Sequence, residues 1–69
     1  MKYAELVKKL KRLGCEFKRQ ASGSHEIWFN PKTRRSTSIP HHANKDIDKK
    51  LLAKILRELE IDQKNFDEV

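Results

Sequence analysis

The feature that most constrains this sequence is an amphipathic stripe close to its carboxyl end. Its apolar members recur at helical spacing and are Leu51, Leu52, Ile55, Leu56 and Leu59. Residues three and four apart lie on one face of a helix, so the stripe predicts a helix with one side packed on a core. Asp46 or Asp48 is expected to cap its first turn, because an Asp side chain accepts hydrogen bonds from the free backbone N–H groups there. Residues 61–66 are expected to add a turn of helix that returns Phe66 to the core.

A second amphipathic segment lies near the amino end. Its apolar side consists of Leu6, Val7, Leu10 and Leu13, and lysines and an arginine occupy the other side. Gly14 follows directly, at the position where a left-handed residue commonly ends a helix. The pattern predicts a first helix from about Lys2 to Leu13, with one solvent-exposed and basic side.

Three short segments between the helices are typical of strands. Residues 15–20 alternate in polarity, residues 25–29 are rich in apolar and aromatic side chains, and residues 36–39 end at a proline. The connections at 21–24 and 30–33 are short, which favours an antiparallel meander. We therefore predict an α+β fold in the order α-β-β-β-α. One three-stranded antiparallel sheet should carry both helices on one face and leave its other face open.

Length and composition narrow the class of protein. A chain of 69 residues is expected to form a single domain over 1–69. Its one cysteine, Cys15, cannot form an internal disulfide and is expected to be a small core residue in a reducing compartment. No apolar run approaches the roughly 20 residues that a membrane span needs, and the amino end lacks a signal-peptide pattern. These observations predict a soluble, cytoplasmic protein.

The net charge is +6, and most of the excess lies in the first two-thirds of the chain. Residues 1–20 hold seven Lys and Arg against two Glu, whereas residues 51–69 hold three basic against five acidic residues. Nucleic acid is the commonest partner for such a surface, and a merely solubilising surface is the alternative. The basic residues that flank the strand ends and the hairpin tip are candidate RNA contacts: Lys18, Arg19, Lys32, Arg34 and Arg35. Trp28 and Phe29 could stack bases, although at least one is expected in the core or against a protein partner.

His25 is the candidate catalytic residue. RNA carries its own nucleophile, the 2′-hydroxyl, beside every phosphate. An enzyme that removes its proton needs a base that titrates near neutral pH, which is the property of imidazole. Gly23 could let a phosphate approach the backbone, and Ser24 offers a hydroxyl and an N–H group. The alternative is an ordinary histidine at the end of a strand.

The face of the sheet that carries His25 is not decided by the sequence. Strict alternation places it on the same side as Ile27 and Phe29, opposite Glu26 and Trp28. If Ile27 faces the helices, His25 must leave the core at the rim of the sheet or through a bulge. If Trp28 faces the helices, His25 shares the open face with Ile27 and Phe29.

His41 and His42 are the other two histidines. With Cys15 or His25 they could form a metal site, but adjacent histidines rarely bind one ion together and no second ligand pair accompanies them. We therefore expect no metal. His42 could instead orient His25 or contact a phosphate.

Three motifs follow one another along the chain. They are Gly-Ser-His-Glu-Ile-Trp-Phe at 23–29, Ser-Ile-Pro-His-His at 38–42 and Leu-Leu-Ala-Lys-Ile-Leu-Arg-Glu-Leu-Glu-Ile at 51–61. Each motif alone is weak, but together, in this order and after a Leu-Gly pair that ends the first helix, they resemble the HicA toxins. These are the RNA-cleaving halves of toxin–antitoxin pairs. The likeness covers nearly the whole chain.

The resemblance implies a double-stranded-RNA-binding-domain-like fold, cleavage of mRNA without a metal or other cofactor, and neutralisation by a HicB-type antitoxin. The catalytic histidine of the family falls on His25. The histidine of its Pro-x-His motif falls on His42, with His41 at the variable position. The chain departs from many relatives at Lys50-Leu51, where they carry Gly-Thr, and at Glu60, where they carry Gly. A non-catalytic RNA-binding module of the same fold, or an adaptor that docks an acidic protein, remains the alternative.

Overall fold

A computed structural model describes residues 1–41 and 46–69. Its elements are α1 (Tyr3–Arg12), β1 (Glu16–Gln20), β2 (His25–Asn30), β3 (Arg35–Pro40), α2 (Lys49–Glu58) and α3 (Gln63–Asp67). The strands form one antiparallel sheet in the order β1-β2-β3. The structure confirms the predicted α-β-β-β-α order and the additional turn of helix after α2. The third strand is one residue longer at each end than the predicted 36–39, because it begins at Arg35 and includes Pro40.

The start of α2 is fixed by a side-chain cap. Asp48 Oδ1 accepts a hydrogen bond from Leu51 N at 2.8 Å, so Asp48 is the capping residue. Asp46 has a different role, because it pairs with Lys2 through a backbone bridge and a side-chain contact of 3.2 Å. Of the two predicted candidates, Asp48 therefore caps α2 and Asp46 does not.

No helix in the described part of the chain has the length and apolar character needed to cross a membrane.

The core lies between the helices and one face of the sheet. Its buried apolar residues are Leu6, Val7, Leu10, Cys15, Trp28, Ile39, Ile47, Ile55, Leu56, Leu59 and Phe66. Phe66 of α3 is buried in this core, as predicted. Leu51 and Leu52 of the α2 stripe are only half-buried and pack at the margin of this core.

The orientation of β2 decides the question that the sequence left open. Trp28 faces the helices and is 2% exposed, with Glu26 and Asn30 beside it on the same side. His25, Ile27 and Phe29 therefore point to the other side. This side is the open face of the sheet, and the described residues on it are all exposed or half-buried: Glu16, Lys18, Arg19, His25, Ile27, Phe29, Ser36, Ser38 and Pro40.

The hairpin between β2 and β3 supplies hydrogen-bond donors to the carboxyl end of α2. The last carbonyl groups of a helix have no partner within it. Leu59 O receives two hydrogen bonds, from Asn30 Nδ2 at 2.8 Å and from Thr33 Oγ1 at 3.0 Å. The next residue, Glu60, has a left-handed backbone with φ 55°. That conformation explains why a glycine suits this position, and Glu60 holds it while pairing with Arg35 at 3.0 Å.

Candidate functional site

A tight turn positions His25 at the start of β2. Ala21 N donates a hydrogen bond to His25 O at 2.8 Å, and Gln20 Nε2 donates to the same oxygen at 2.9 Å and to Gly23 O at 3.2 Å. Gly23 has φ 63°, a left-handed conformation that favours glycine. A Cβ atom at Gly23 would meet nothing within 4 Å, so the turn needs glycine for its backbone conformation and not for space inside the fold.

The imidazole of His25 is exposed on the open face and is held from β3. Its Nδ1 atom lies 3.0 Å from Ser38 Oγ. Ser38 stands directly opposite Ile27 in the β2–β3 register, one diagonal step from His25 on the same face. The contact occupies Nδ1 and leaves Nε2 available to a substrate.

A buried carboxylate lies on the opposite side of the sheet, one residue along from His25. Glu26 is 7% exposed and accepts three hydrogen bonds. The donors are the Tyr3 hydroxyl, Trp28 Nε1 at 3.1 Å and His41 Nδ1 at 3.0 Å. The rings of Tyr3 and His41 are stacked, with centroids 3.7 Å apart. Because a carboxylate only accepts, His41 carries its proton on Nδ1.

These contacts determine the charge states in the network. Burial acts to raise the pKa of Glu26, but the hydrogen bonds from Tyr3, Trp28 and His41 outweigh it and lower the pKa below its ordinary value. Burial and the hydrogen bond to Glu26 raise the pKa of the Tyr3 phenol well above its ordinary value. Glu26 is therefore a charged acceptor and Tyr3 a protonated donor at neutral pH.

The first two sequence motifs meet beside this network. His41 N donates a hydrogen bond to Ser24 O at 2.9 Å, which joins the Gly-Ser-His turn to the Pro-His-His segment. The ring of His41 is directed to Glu26 and Tyr3 on the helix side of the sheet. The prediction for His42 concerns a residue outside the described ranges.

The basic residues of β1 share the open face with His25. In the register, Phe17 pairs with Trp28 and Arg19 pairs with Ile27, so Lys18 is an extra residue in a β-bulge. Arg19 lies on the open face because directly opposed residues share a side of the sheet. The Lys18 Nζ atom lies 4.5 Å from the centre of the Phe29 ring, on the same side.

A protein-family model described as the HicA toxin of bacterial toxin–antitoxin systems matches residues 3–61. The chain belongs to the HicA toxin family. The match extends from α1 past the end of α2 and includes both His25 and Ser38. Family membership assigns the chain a toxin role, with an antitoxin as its partner. Searches of curated proteins and of solved structures found no significant match.

The other basic residues predicted for RNA binding lie at the far end of the toxin's β2–β3 hairpin. Five residue steps separate His25 from Asn30 along β2, which is roughly 17 Å at the rise of a strand. Lys32 and Arg34 follow in the turn, and Arg35 pairs with Glu60. The structure therefore brings Lys18 and Arg19 to the face of His25 and places the other three apart from it.

The sequence of this HicA chain did not predict the contact of Ser38 with His25 or the hydrogen bonds of Glu26. Alternation before Pro40 places Ser38 on one face of β3, but it does not reveal which β2 side chain lies beside it. Glu26 carried a weak signal, as a charged residue inside an apolar strand. Its partners Tyr3 and His41 lie 23 and 15 positions away in the sequence, so only the fold joins them.

The candidate metal ligands that the structure describes, Cys15, His25 and His41, do not form a metal-binding group. Cys15 is buried in the core, and burial raises the pKa of its thiol, which keeps it protonated at neutral pH. Among residues 1–41 and 46–69, no three His, Cys, Asp or Glu side chains come together in a way that could hold a metal ion.

Proposed function

We propose that this HicA-family toxin is an endoribonuclease that cleaves mRNA in the cytoplasm without a metal, with His25 as its general acid/base. The observation that supports this most directly is the geometry of His25. The ring is exposed, it stands at the start of a strand on a face that none of the described helices covers, and Ser38 contacts Nδ1 at 3.0 Å. A histidine that served only the core would face the helices, as Trp28 does.

The proposed chemistry uses the nucleophile that RNA carries. When Ser38 Oγ accepts the proton of Nδ1, the lone pair of the imidazole lies on Nε2. Nε2 then removes the proton of a ribose 2′-hydroxyl. The 2′-oxygen forms a bond to the adjacent phosphorus, the bond from phosphorus to the 5′-oxygen breaks, and the 5′-oxygen takes up a proton. The products are a 2′,3′-cyclic phosphate and a 5′-hydroxyl.

The remaining site residues support this step. Lys18 and Arg19 lie on the face of His25, where a cation stabilises charge that develops on the phosphate oxygens. Gly23 and Ser24 form the turn that a phosphate meets beside His25, and His42 follows the segment that Ser24 anchors. Lys32, Arg34 and Arg35 would contact the RNA backbone further along.

We propose a HicB-type antitoxin as the partner, and occlusion as its mode of action. His25, Lys18 and Arg19 share one face of the sheet, and none of the described helices covers that face. An acidic surface on the antitoxin would complement this region and exclude RNA from it.

Incubation of the purified toxin with RNA in EDTA tests the proposal. We expect cleavage to persist in the chelator and to leave 2′,3′-cyclic phosphate and 5′-hydroxyl ends. Salt-dependent RNA binding without cleavage would instead identify a binding module of the same fold. Loss of cleavage in EDTA, restored by a divalent cation, would contradict the metal-free mechanism.

A further inference from the structure

The open face of the sheet has the composition of a binding surface. Ile27 and Phe29 are apolar, yet they are only half-buried and continue the row that His25 begins. On β3, the hydroxyl residue Ser36 stands opposite Phe29. An apolar strip with polar margins that leads to a reactive group is suited to hold the rest of a substrate.

The bulge in β1 changes the charge of this face. In a regular strand Lys18 and Arg19 would point to opposite sides of the sheet. The bulge at Lys18 brings both side chains to the open face, while Phe17 remains edge-on to Trp28 on the helix side, with ring centres 6.1 Å apart. Glu16, opposite Phe29, is the acidic residue of β1 on the same face. Two cations against one carboxylate leave the strip positive.

Phe29 and Lys18 form the key pair on this strip. The Lys18 ammonium lies over the Phe29 ring, 4.5 Å from its centre. An aromatic ring beside an exposed lysine suits a nucleotide, because the base can stack on the ring once the ammonium moves aside to contact the phosphate. Only a base that is not already stacked and paired inside a duplex can reach such a ring.

We infer that the open face is the substrate-binding surface of this toxin and that it holds a single, unpaired RNA strand. One base stacks on Phe29, the adjoining phosphates contact Lys18 and Arg19, and the strand continues over Ile27 to His25. The inference rests on the proposed function, because it takes RNA as the ligand. It adds the surface, the path of the strand across it and the preference for unpaired RNA.

Binding measurements with an uncleavable probe test this inference separately from catalysis. The probes are a short unstructured 2′-O-methyl RNA, which lacks the attacking hydroxyl, and the same strand in a duplex. We expect Phe29→Leu to weaken binding of the unpaired probe by about tenfold and to leave duplex binding unchanged, since only the former loses a stacked base. Lys18→Glu and Arg19→Ala should also weaken binding of the unpaired probe, and Glu16→Gln should strengthen it.

Matched variants on the helices serve as controls. Lys54→Ala and Arg57→Ala remove one charge each from exposed positions of α2. They should weaken binding less than Lys18→Ala and Arg19→Ala do at the same salt concentration. Thermal unfolding of each variant confirms its fold, and the exposed Lys18→Glu change keeps the test valid if Phe29→Leu does not fold.

Three results would overturn the inference. The first is an equal loss of unpaired and duplex binding in Phe29→Leu. The second is a larger effect of Lys54→Ala and Arg57→Ala than of the β1 variants, which would place RNA on the helices. The third is unchanged RNA binding together with lost antitoxin binding in the open-face variants, which would identify a protein-docking surface. Absence of any RNA binding by the unaltered toxin would contradict the proposed function itself.

Discussion

The Nδ1 atom of His25 lies 3.0 Å from the Oγ atom of Ser38, across the pair of strands β2 and β3. This contact joins the histidine of one sequence motif to a residue of the next. A hydroxyl that accepts the proton of Nδ1 fixes the orientation of the ring and places the basic lone pair on Nε2. Ser38 is thus a positioning residue in the proposed mechanism, since it acts on RNA only through His25.

Ser38→Ala is expected to lower kcat for RNA cleavage by about tenfold and to change KM little, because the Ser38 hydroxyl orients the His25 ring without binding substrate. Ser38→Thr keeps the hydroxyl and should restore most of the rate. The pH profile of kcat should shift in Ser38→Ala and return in Ser38→Thr. Equal loss of activity in both variants would indicate a structural role for this position.

Glu26 links the stability of the toxin to pH. Its pKa is lowered in the folded protein, so its contribution to stability is fully present above the unfolded pKa of about 4.3 and is lost as pH falls through the folded value. Glu26→Gln should reduce the free energy of unfolding at pH 7 by about 1–3 kcal/mol, because three donors lose a charged acceptor. Unfolding curves of the variant and the unaltered protein should converge in acid. Glu16→Gln, at an exposed site, is the control, and an equal effect of both substitutions would contradict this account.

Glu60→Gly tests the left-handed position after α2. A side chain at φ 55° costs about 1 kcal/mol relative to glycine, whereas the exposed pair with Arg35 contributes between about 0 and 1 kcal/mol. The substitution should therefore leave Tm unchanged or raise it. Arg35→Ala removes the pair and keeps the strain, so it should lower Tm slightly. A larger fall of Tm in Glu60→Gly than in Arg35→Ala would show that the pair outweighs the strain.

Neutralisation by occlusion predicts how the antitoxin responds to changes around His25. Stoichiometric antitoxin should abolish RNA cleavage, and Arg19→Glu should weaken the complex strongly because it places an acidic group against an acidic surface. Arg57→Glu, on α2, should have a smaller effect. Undiminished cleavage by the complex, or a complex in which His25 stays exposed to solvent, would contradict occlusion.

Much of the fold followed from periodicity, whereas the site depended on contacts between distant residues. The stripe of α2 and the short turns predicted the order of elements because both patterns are local. The direction of Trp28 could not be predicted, since the run Ile27-Trp28-Phe29 is apolar on both sides of the strand. The bulge at Lys18 is set by pairing with β2, and the contact of Ser38 with His25 is set by the β2–β3 register. Neither has a sequence signal within its own strand.

Substitution of His25 by alanine tests the central claim most directly. The side chain is exposed and lies outside the core, so His25→Ala should change the free energy of unfolding by no more than about 1 kcal/mol. The variant should still bind RNA with a steep dependence on salt and should still bind the antitoxin. Loss of the base should lower the cleavage rate by roughly a hundredfold to ten-thousandfold.

Thermal unfolding, RNA binding and RNA cleavage should be measured on one preparation of His25→Ala, with Lys18→Ala as the matched control. Lys18→Ala is expected to bind RNA more weakly and to retain part of its cleavage activity. The account predicts a folded His25→Ala protein that binds RNA and does not cleave it. A folded His25→Ala protein that cleaves RNA at a near-normal rate would contradict it.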